Sequence, residues 1–164
     1  AVAVAAIIFV VLAALIGCCG IQLGYPGGTL DGAAWLESHH PADAAGIAYL
    51  AGIASPGDIV VEAADGSYAY NGRVSAMTGL STIVGWVGHE SGWRSGVGDA
   101  GTRWSDVRTI YEDPSKTISL MDQYGAKYLF VGDVEQELYT VNLPDEGLTE
   151  IFTADGVTIY QRSN

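Results

Sequence analysis

Basic residues are scarce in this sequence. Its 164 residues include 7 lysines and arginines against 19 aspartates and glutamates, for a net charge of −12. Lysine occurs only at Lys116 and Lys127. Because such a surface repels nucleic-acid phosphates, the composition argues against a nucleic-acid partner.

Cysteine and the sequence signatures of cofactor sites are also nearly absent. Cys18 and Cys19 are adjacent, which suits neither an ordinary disulfide nor a zinc site. The sequence contains no P-loop, HExxH or GxSxG motif. His39, His40 and Asp43 invite a metal interpretation, but a loop leading into a helix at Pro41 is favoured. We therefore expect no cofactor, no metal and no catalytic residue.

Charge is missing from the N-terminal part, where no charged residue precedes Asp31. Residues 1 to 16 consist only of Ala, Val, Ile, Leu and Phe. Since about 20 apolar residues cross a bilayer core as a helix, we expect a transmembrane helix over residues 1 to 23 and an α/β domain over residues 24 to 164. The alternatives are a lipoprotein signal acylated at Cys18, a secretory signal and a buried core helix.

The rest of the chain alternates between helical and strand-like patterns. Short β-branched runs at 58 to 62, 81 to 84 and 127 to 131 predict buried strands, and helices are predicted between them. Asp155-Gly156 between two alternating runs predicts a β-hairpin. The expected fold is α/β: a single three-layer domain with a mostly parallel sheet and a C-terminal antiparallel hairpin, preceded by the transmembrane helix.

A cationic, tryptophan-rich segment runs from Arg73 to Arg108. It holds four of the seven basic residues and three of the four tryptophans, and its net charge is +1 against −13 for the remainder. Guanidinium groups bind phosphate or carboxylate, and indole rings stack on flat apolar faces, so a phosphorylated sugar suits both. If strands 58 to 62 and 81 to 84 are parallel, their end loops meet at one edge of the sheet. The expected ligand-binding residues there are Tyr68, Arg73, Trp86, His89, Glu90, Trp93 and Arg94.

The same segment carries a family resemblance. The order G-R-V-S-A-x-T-G-L-x-T-x-x-G-W-x-x-H-E-x-x-W-R, from Gly72 to Arg94, resembles the C-terminal soluble part of the YYY-type polytopic membrane proteins of archaea and some bacteria. That family looks related to the GT-C membrane glycosyltransferases. The resemblance extends over most of residues 30 to 162, with Ser81 and Val87 standing where proline is expected.

The resemblance implies an extracytoplasmic accessory domain of a membrane glycosyltransferase. The remaining transmembrane part of the same polypeptide would be one of its partners. Its partners would be the membrane and a polyprenyl-phosphate sugar or glycan, and the catalytic acid would lie outside this chain. Two alternatives stand beside it. One is a hydrolase with His89 as general base and Glu90, Asp65 or Asp106 as acid or orienting group. The other is a membrane-tethered structural or interaction domain in which the tryptophans and arginines pack internally.

Overall fold

The computed structural model describes residue 31, residues 33 to 93 and residues 99 to 163. The chain divides into two compact units, Ala1–Trp35 and Leu36–Asn164, and the sheet belongs to the second. The segment expected to cross a membrane, residues 1 to 23, lies outside the described residues. Within the described residues, no helix combines the length and apolar character that a membrane span needs.

Five strands form one mixed sheet in the order β2-β1-β3-β5-β4. Strand β1 pairs in parallel with β2 and β3, whereas β5 pairs antiparallel with β3 and β4. The prediction of a mostly parallel sheet was therefore wrong. The sheet has as many antiparallel as parallel strand pairings, because β5 of the C-terminal hairpin pairs antiparallel on both sides. The strands are β1 (Ile59–Val61), β2 (Ser81–Thr82), β3 (Ala126–Val131), β4 (Leu148–Ala154) and β5 (Val157–Arg162).

Seven helices are found in the described part of the chain. The helix predicted between the strands at 58 to 62 and 81 to 84 is confirmed and spans Arg73–Thr78. The helices are α1 (Ala33–His39), α2 (Pro41–Ile53), α3 (Arg73–Thr78), α4 (Val87–Trp93), α5 (Ala100–Glu112), α6 (Pro114–Tyr124) and α7 (Asp133–Leu138).

Helix ends follow the local sequence. Asp113 caps α6 by accepting a hydrogen bond from the Ser115 backbone N–H at 3.1 Å, and Pro114 occupies the first turn. Gly125 ends α6 in the left-handed conformation with φ 64°. The residue before α5 is Asp99.

Apolar side chains cover both faces of the sheet. Val61, Leu129 and Val131 join one core cluster, packed against α5 and α6, whereas their sequence neighbours Val60 and Phe130 join a second cluster with residues of α2 and α3. This alternation follows from the two-residue period of a strand. Burial on both faces explains why the sequence of β3 is almost uniformly apolar.

The predicted hairpin is present, and helix α2 packs closely on the sheet. Asp155 (φ 49°) and Gly156 (φ 90°) turn the β4–β5 hairpin with two positive φ angles, as a two-residue type I′ loop requires. Helix α2 packs closely on the sheet at Gly46, where a Cβ would lie 2.8 Å from Cγ1 of Val157. The small residues of α2 therefore permit its approach to the sheet.

Candidate functional site

The loops after β1 and β2 meet at the carboxyl edge of the sheet. The two strands are parallel, as predicted, and an isolated parallel bridge between Asp65 and Trp86 continues their pairing past the strand ends. The backbone N–H of Val87 donates to the carbonyl oxygen of Asp65 at 3.4 Å. The two loops of the predicted site are thus neighbours at the edge where open α/β sheets bind ligands.

Four of the predicted site residues form one aromatic cluster: Tyr68, Trp86, His89 and Trp93. The centroid of Tyr68 lies 5.1 Å from that of Trp86 and 5.9 Å from that of His89. The His89 ring meets Trp86 edge-on at 6.1 Å and lies 5.9 Å from Trp93. These separations fall in the range at which aromatic rings attract each other.

The loop after the strand at 81 to 84 was expected to continue through residues 85 to 90, and this prediction was wrong over residues 87 to 90, which belong to helix α4 (Val87–Trp93). Gly88 and Gly92 lower the helix propensity of this segment, so the sequence pattern does not indicate a helix. In a helix, residues four apart share one face, which places His89 and Trp93 side by side. The indole Nε1 of Trp93 donates to Nε2 of His89 at 2.8 Å.

The cluster is anchored to the loop after β1. The hydroxyl oxygen of Ser67 accepts a hydrogen bond from the backbone N–H of His89 at 3.0 Å. The indole Nε1 of Trp86 donates to the carbonyl oxygen of Asn71 at 3.2 Å. The cluster is therefore held from both loops, although its outer members face solvent.

Exposure distinguishes these rings from an ordinary core. Tyr68 is 79% and Trp93 is 78% exposed, whereas Trp86 is half-buried. Tyr68 also has a φ of 62°, which is uncommon outside glycine and holds its ring at the loop tip. Large aromatic side chains presented together at a surface are typical of binding sites.

Arg73 does not join this cluster. It is 5% exposed, and its guanidinium lies between two carboxylates, with Nε 2.5 Å from Oδ2 of Asp43 and Nη2 2.9 Å from Oε2 of Glu135. Burial alone lowers the pKa of Arg73, but the hydrogen bonds and charges of Glu135 and Asp43 raise it well above its ordinary value. The donors expected for a ligand phosphate are thus engaged inside the protein.

Glu135 and Asp43, which the sequence did not single out as partners of Arg73, complete this ion-pair network. The carboxylate of Glu135 is fully buried and accepts backbone hydrogen bonds from Ala63 and Gly132, both at 2.8 Å. Asp43 accepts a hydrogen bond from the Tyr70 hydroxyl at 2.9 Å. The network ties α2, α3 and α7 together beneath the carboxyl edge.

Glu62 is a further buried carboxylate at this edge. It accepts hydrogen bonds from the backbone N–H groups of Val74 and Ser75, at 2.7 and 2.9 Å, and so caps the first turn of α3. Burial raises the pKa of Glu62, and the hydrogen bonds from Ser75 and Val74 oppose that shift only in part.

The remaining predicted residues have separate positions. Oε1 of Glu90 accepts a hydrogen bond from the backbone N–H of Gly85 at 2.7 Å, which braces the start of α4. Arg94 lies outside the described residues. Arg103 is half-buried, and its Nε binds Asp99 at 2.6 Å while Nη1 donates to the carbonyl oxygen of Ile83.

A small cavity of about 270 Å³ lies near the ends of β3 and the β4–β5 hairpin. The ring of His40 at its rim stacks on Tyr70 with centroids 4.2 Å apart. Among the residues that the structure describes, no group of three or more His, Cys, Asp or Glu side chains could hold a metal ion. The cavity is lined by His39, His40, Pro41, Ala42, Asp43, Asp133 and Asp155.

Comparisons of this chain with protein-family models, with curated proteins and with solved structures found no match.

Proposed function

We propose that this chain is a glycan-binding accessory domain, and that a sugar ring binds on the aromatic cluster of Tyr68, Trp86, His89 and Trp93. The observation that carries the proposal is the exposure of Tyr68 and Trp93, each close to four-fifths exposed, beside Trp86 and His89 respectively. The apolar C–H face of a sugar stacks on indole and phenol rings.

The burial of Arg73 narrows the proposal to recognition of the sugar ring. A lipid-linked or phosphorylated sugar remains the proposed ligand class, but its phosphate would have to be bound by groups other than Arg73. The guanidinium of Arg73 is bound to Asp43 and Glu135, so an anionic ligand would compete with two internal carboxylates. Stacking on the exposed rings therefore supplies the binding energy in this proposal.

The sequence resemblance supplies the proposed context. In it, the domain has three layers, is extracytoplasmic and is tethered by a membrane helix over residues 1 to 23. It presents a glycan to a GT-C-like glycosyltransferase whose catalytic acid lies elsewhere in the polypeptide. The position of the aromatic cluster at the carboxyl edge of the sheet supports this role, because open α/β sheets bind ligands at that edge.

The two alternatives have less support. A hydrolase needs the ring of His89 paired with a carboxylate, but Nε2 of His89 is bonded to the indole of Trp93. A purely structural role for the tryptophans would bury them, whereas Trp93 is 78% exposed. Glycan binding therefore accounts best for the exposed rings.

Tryptophan fluorescence and isothermal titration of the full chain test the proposal. The ligands are methyl glucoside, glucose 1-phosphate and a polyprenyl-phosphate sugar in detergent, with inorganic phosphate and detergent alone as controls. We expect saturable binding of the sugars and none of phosphate alone. Absence of binding to any sugar, or equal binding of inorganic phosphate, contradicts the proposal.

A further inference from the structure

Asn71 has a buried side-chain amide that lacks an internal partner. The residue is 5% exposed, and neither Nδ2 nor Oδ1 has a hydrogen-bond partner among the residues that the structure describes. An asparagine amide offers two donors and one acceptor oxygen, and burying them unpaired costs free energy. Buried polar groups without partners are rare, so this amide requires an explanation.

Asn71 adjoins the inner ring of the aromatic cluster. Its own carbonyl oxygen accepts the hydrogen bond from the indole Nε1 of Trp86 at 3.2 Å. A Cβ placed on the next residue, Gly72, would lie 4.0 Å from the same indole nitrogen. The residue that carries the unpartnered amide is therefore next to the site at which we place the sugar ring.

The backbone on both sides of Asn71 is fixed. The hydroxyl of Tyr70 donates to Asp43 at 2.9 Å, and Arg73 opens α3 with its guanidinium held by Asp43 and Glu135. These bonds restrain the segment from residue 70 to residue 73. The segment that carries the amide is consequently restrained, which reduces the entropy lost when a ligand binds.

We infer that the Asn71 amide is a further ligand-binding group, which pairs with two neighbouring hydroxyls of a neutral sugar ring stacked beside Trp86. This inference rests on the proposed glycan-binding function and names the chemistry of the ligand. Oδ1 accepts from one hydroxyl while Nδ2 donates to the oxygen of the next, and a hydroxyl can fill either role. A carboxylate or a guanidinium could fill only one of them.

In this inference the Trp86 indole moves to give the ligand access to the amide. Both polar atoms of Asn71 are enclosed in this structure, whereas Trp86 is half-buried and its bond to the Asn71 carbonyl is at the long end of the normal range. Binding of the sugar breaks this bond and changes the environment of the Trp86 Nε1 proton.

The test uses the full chain, methyl glucoside and its 2-, 3- and 4-deoxy analogues. Asn71→Leu keeps the approximate shape and removes both polar atoms. We expect affinity for methyl glucoside to fall at least tenfold, the preference over the deoxy analogues to disappear, and thermal stability to be kept. Unchanged affinity together with unchanged discrimination would overturn the inference.

A measurement on the unaltered protein makes the test independent of whether Asn71→Leu folds. In a ¹⁵N-labelled sample, methyl glucoside should shift both the side-chain amide resonances of Asn71 and the indole resonance of Trp86. A shift of the Trp86 resonance alone overturns the inference and leaves a buried water as the partner of the amide.

The two proposals fail differently. If methyl glucoside binds, and Tyr68→Ala weakens it while Asn71→Leu does not, the glycan-binding function stands and the role of Asn71 is refuted. If no sugar in the series binds to the unaltered chain, both proposals fall together.

Discussion

The indole of Trp93 donates its hydrogen bond to Nε2 of His89, one helical turn earlier, at 2.8 Å. Because an indole N–H can only donate, Nε2 acts as the acceptor and the ring proton of a neutral His89 lies on Nδ1. His89 thereby positions the exposed ring of Trp93 instead of presenting a free base to a substrate.

Replacing His89 tests this positioning role. His89→Phe keeps an aromatic ring but removes the acceptor, so we expect the Trp93 side chain to become more mobile and the sugar affinity to fall a few-fold. Fluorescence anisotropy and titration measure the two effects, with His39→Phe in α1 as the matched control. Loss of stability beyond about 0.5 kcal/mol, the range of ordinary surface substitutions, would instead indicate a structural role.

Arg73 is predicted to matter for stability. Arg73→Met leaves Asp43 and Glu135 as buried charges without a counter-ion, which should lower the free energy of unfolding by about 3–5 kcal/mol. Arg108→Met is the matched control, because its ion pair with Glu112 is solvent-exposed and should contribute about 0–1 kcal/mol. Urea denaturation measures both, and equal effects of the two substitutions would contradict the assignment of Arg73 to the interior.

The contacts of Arg73 could not be predicted from the sequence. Its partners Asp43 and Glu135 lie 30 and 62 positions away in the chain, so no local pattern pairs them. The strands, the hairpin at Asp155 and the meeting of the two loops are local or follow from parallel pairing, and they could be predicted.

Helix α4 was missed for a different reason. Its two glycines give it a low propensity, and its position depends on the Ser67 hydroxyl, which accepts a hydrogen bond from the backbone N–H of His89 across 22 positions of the chain. The sequence nevertheless identified the aromatic residues of the cluster, since Tyr68, Trp86, His89 and Trp93 all follow strand ends in the predicted order.

Gly132 is predicted to be intolerant of a side chain. A Cβ there would lie 2.9 Å from Oδ1 of Asp43 and 3.0 Å from Nη2 of Arg73, so it would push apart the buried ion pair. We expect Gly132→Ala to destabilise the fold by about 1–3 kcal/mol, as overpacking does. Gly52→Ala is the control of opposite sign: nothing lies within 4 Å of its Cβ position in α2, and alanine should stabilise the helix by about 0.5–1 kcal/mol.

Glu62 should make stability depend on pH. Its folded-state pKa is raised by burial above the ordinary value of 4.5, so its contribution to stability is complete below that pH and is lost as the pH rises through the folded pKa. The free energy of unfolding of the unaltered chain relative to Glu62→Gln should therefore fall as the pH rises from 4.5. Denaturation at a series of pH values measures this difference, and a flat difference would contradict it.

Asp58 supplies the contrast with Glu62. The Ser55 backbone hydrogen bond and then the hydrogen bond from Lys127 lower the pKa of Asp58 below 3.8. Its contribution is present above pH 3.8 and is lost as the pH falls. The free energy of unfolding of the unaltered chain relative to Asp58→Asn should therefore rise with pH, opposite to the dependence expected for Glu62. If both stability differences change with pH in the same direction, the partners described for Glu62 and Asp58 are contradicted.

Titration of methyl glucoside into the Tyr68→Ala, Trp93→Ala double variant tests the central claim most directly. Tyr49→Ala is the matched control, because it removes one ring of an aromatic pair with Phe152 between α2 and β4. Glycan binding on the cluster predicts at least a tenfold loss of affinity in the double variant, equivalent to about 1.4 kcal/mol, with thermal stability and the Tyr49→Ala affinity unchanged. Equal affinities in the double variant and the unaltered chain would contradict it.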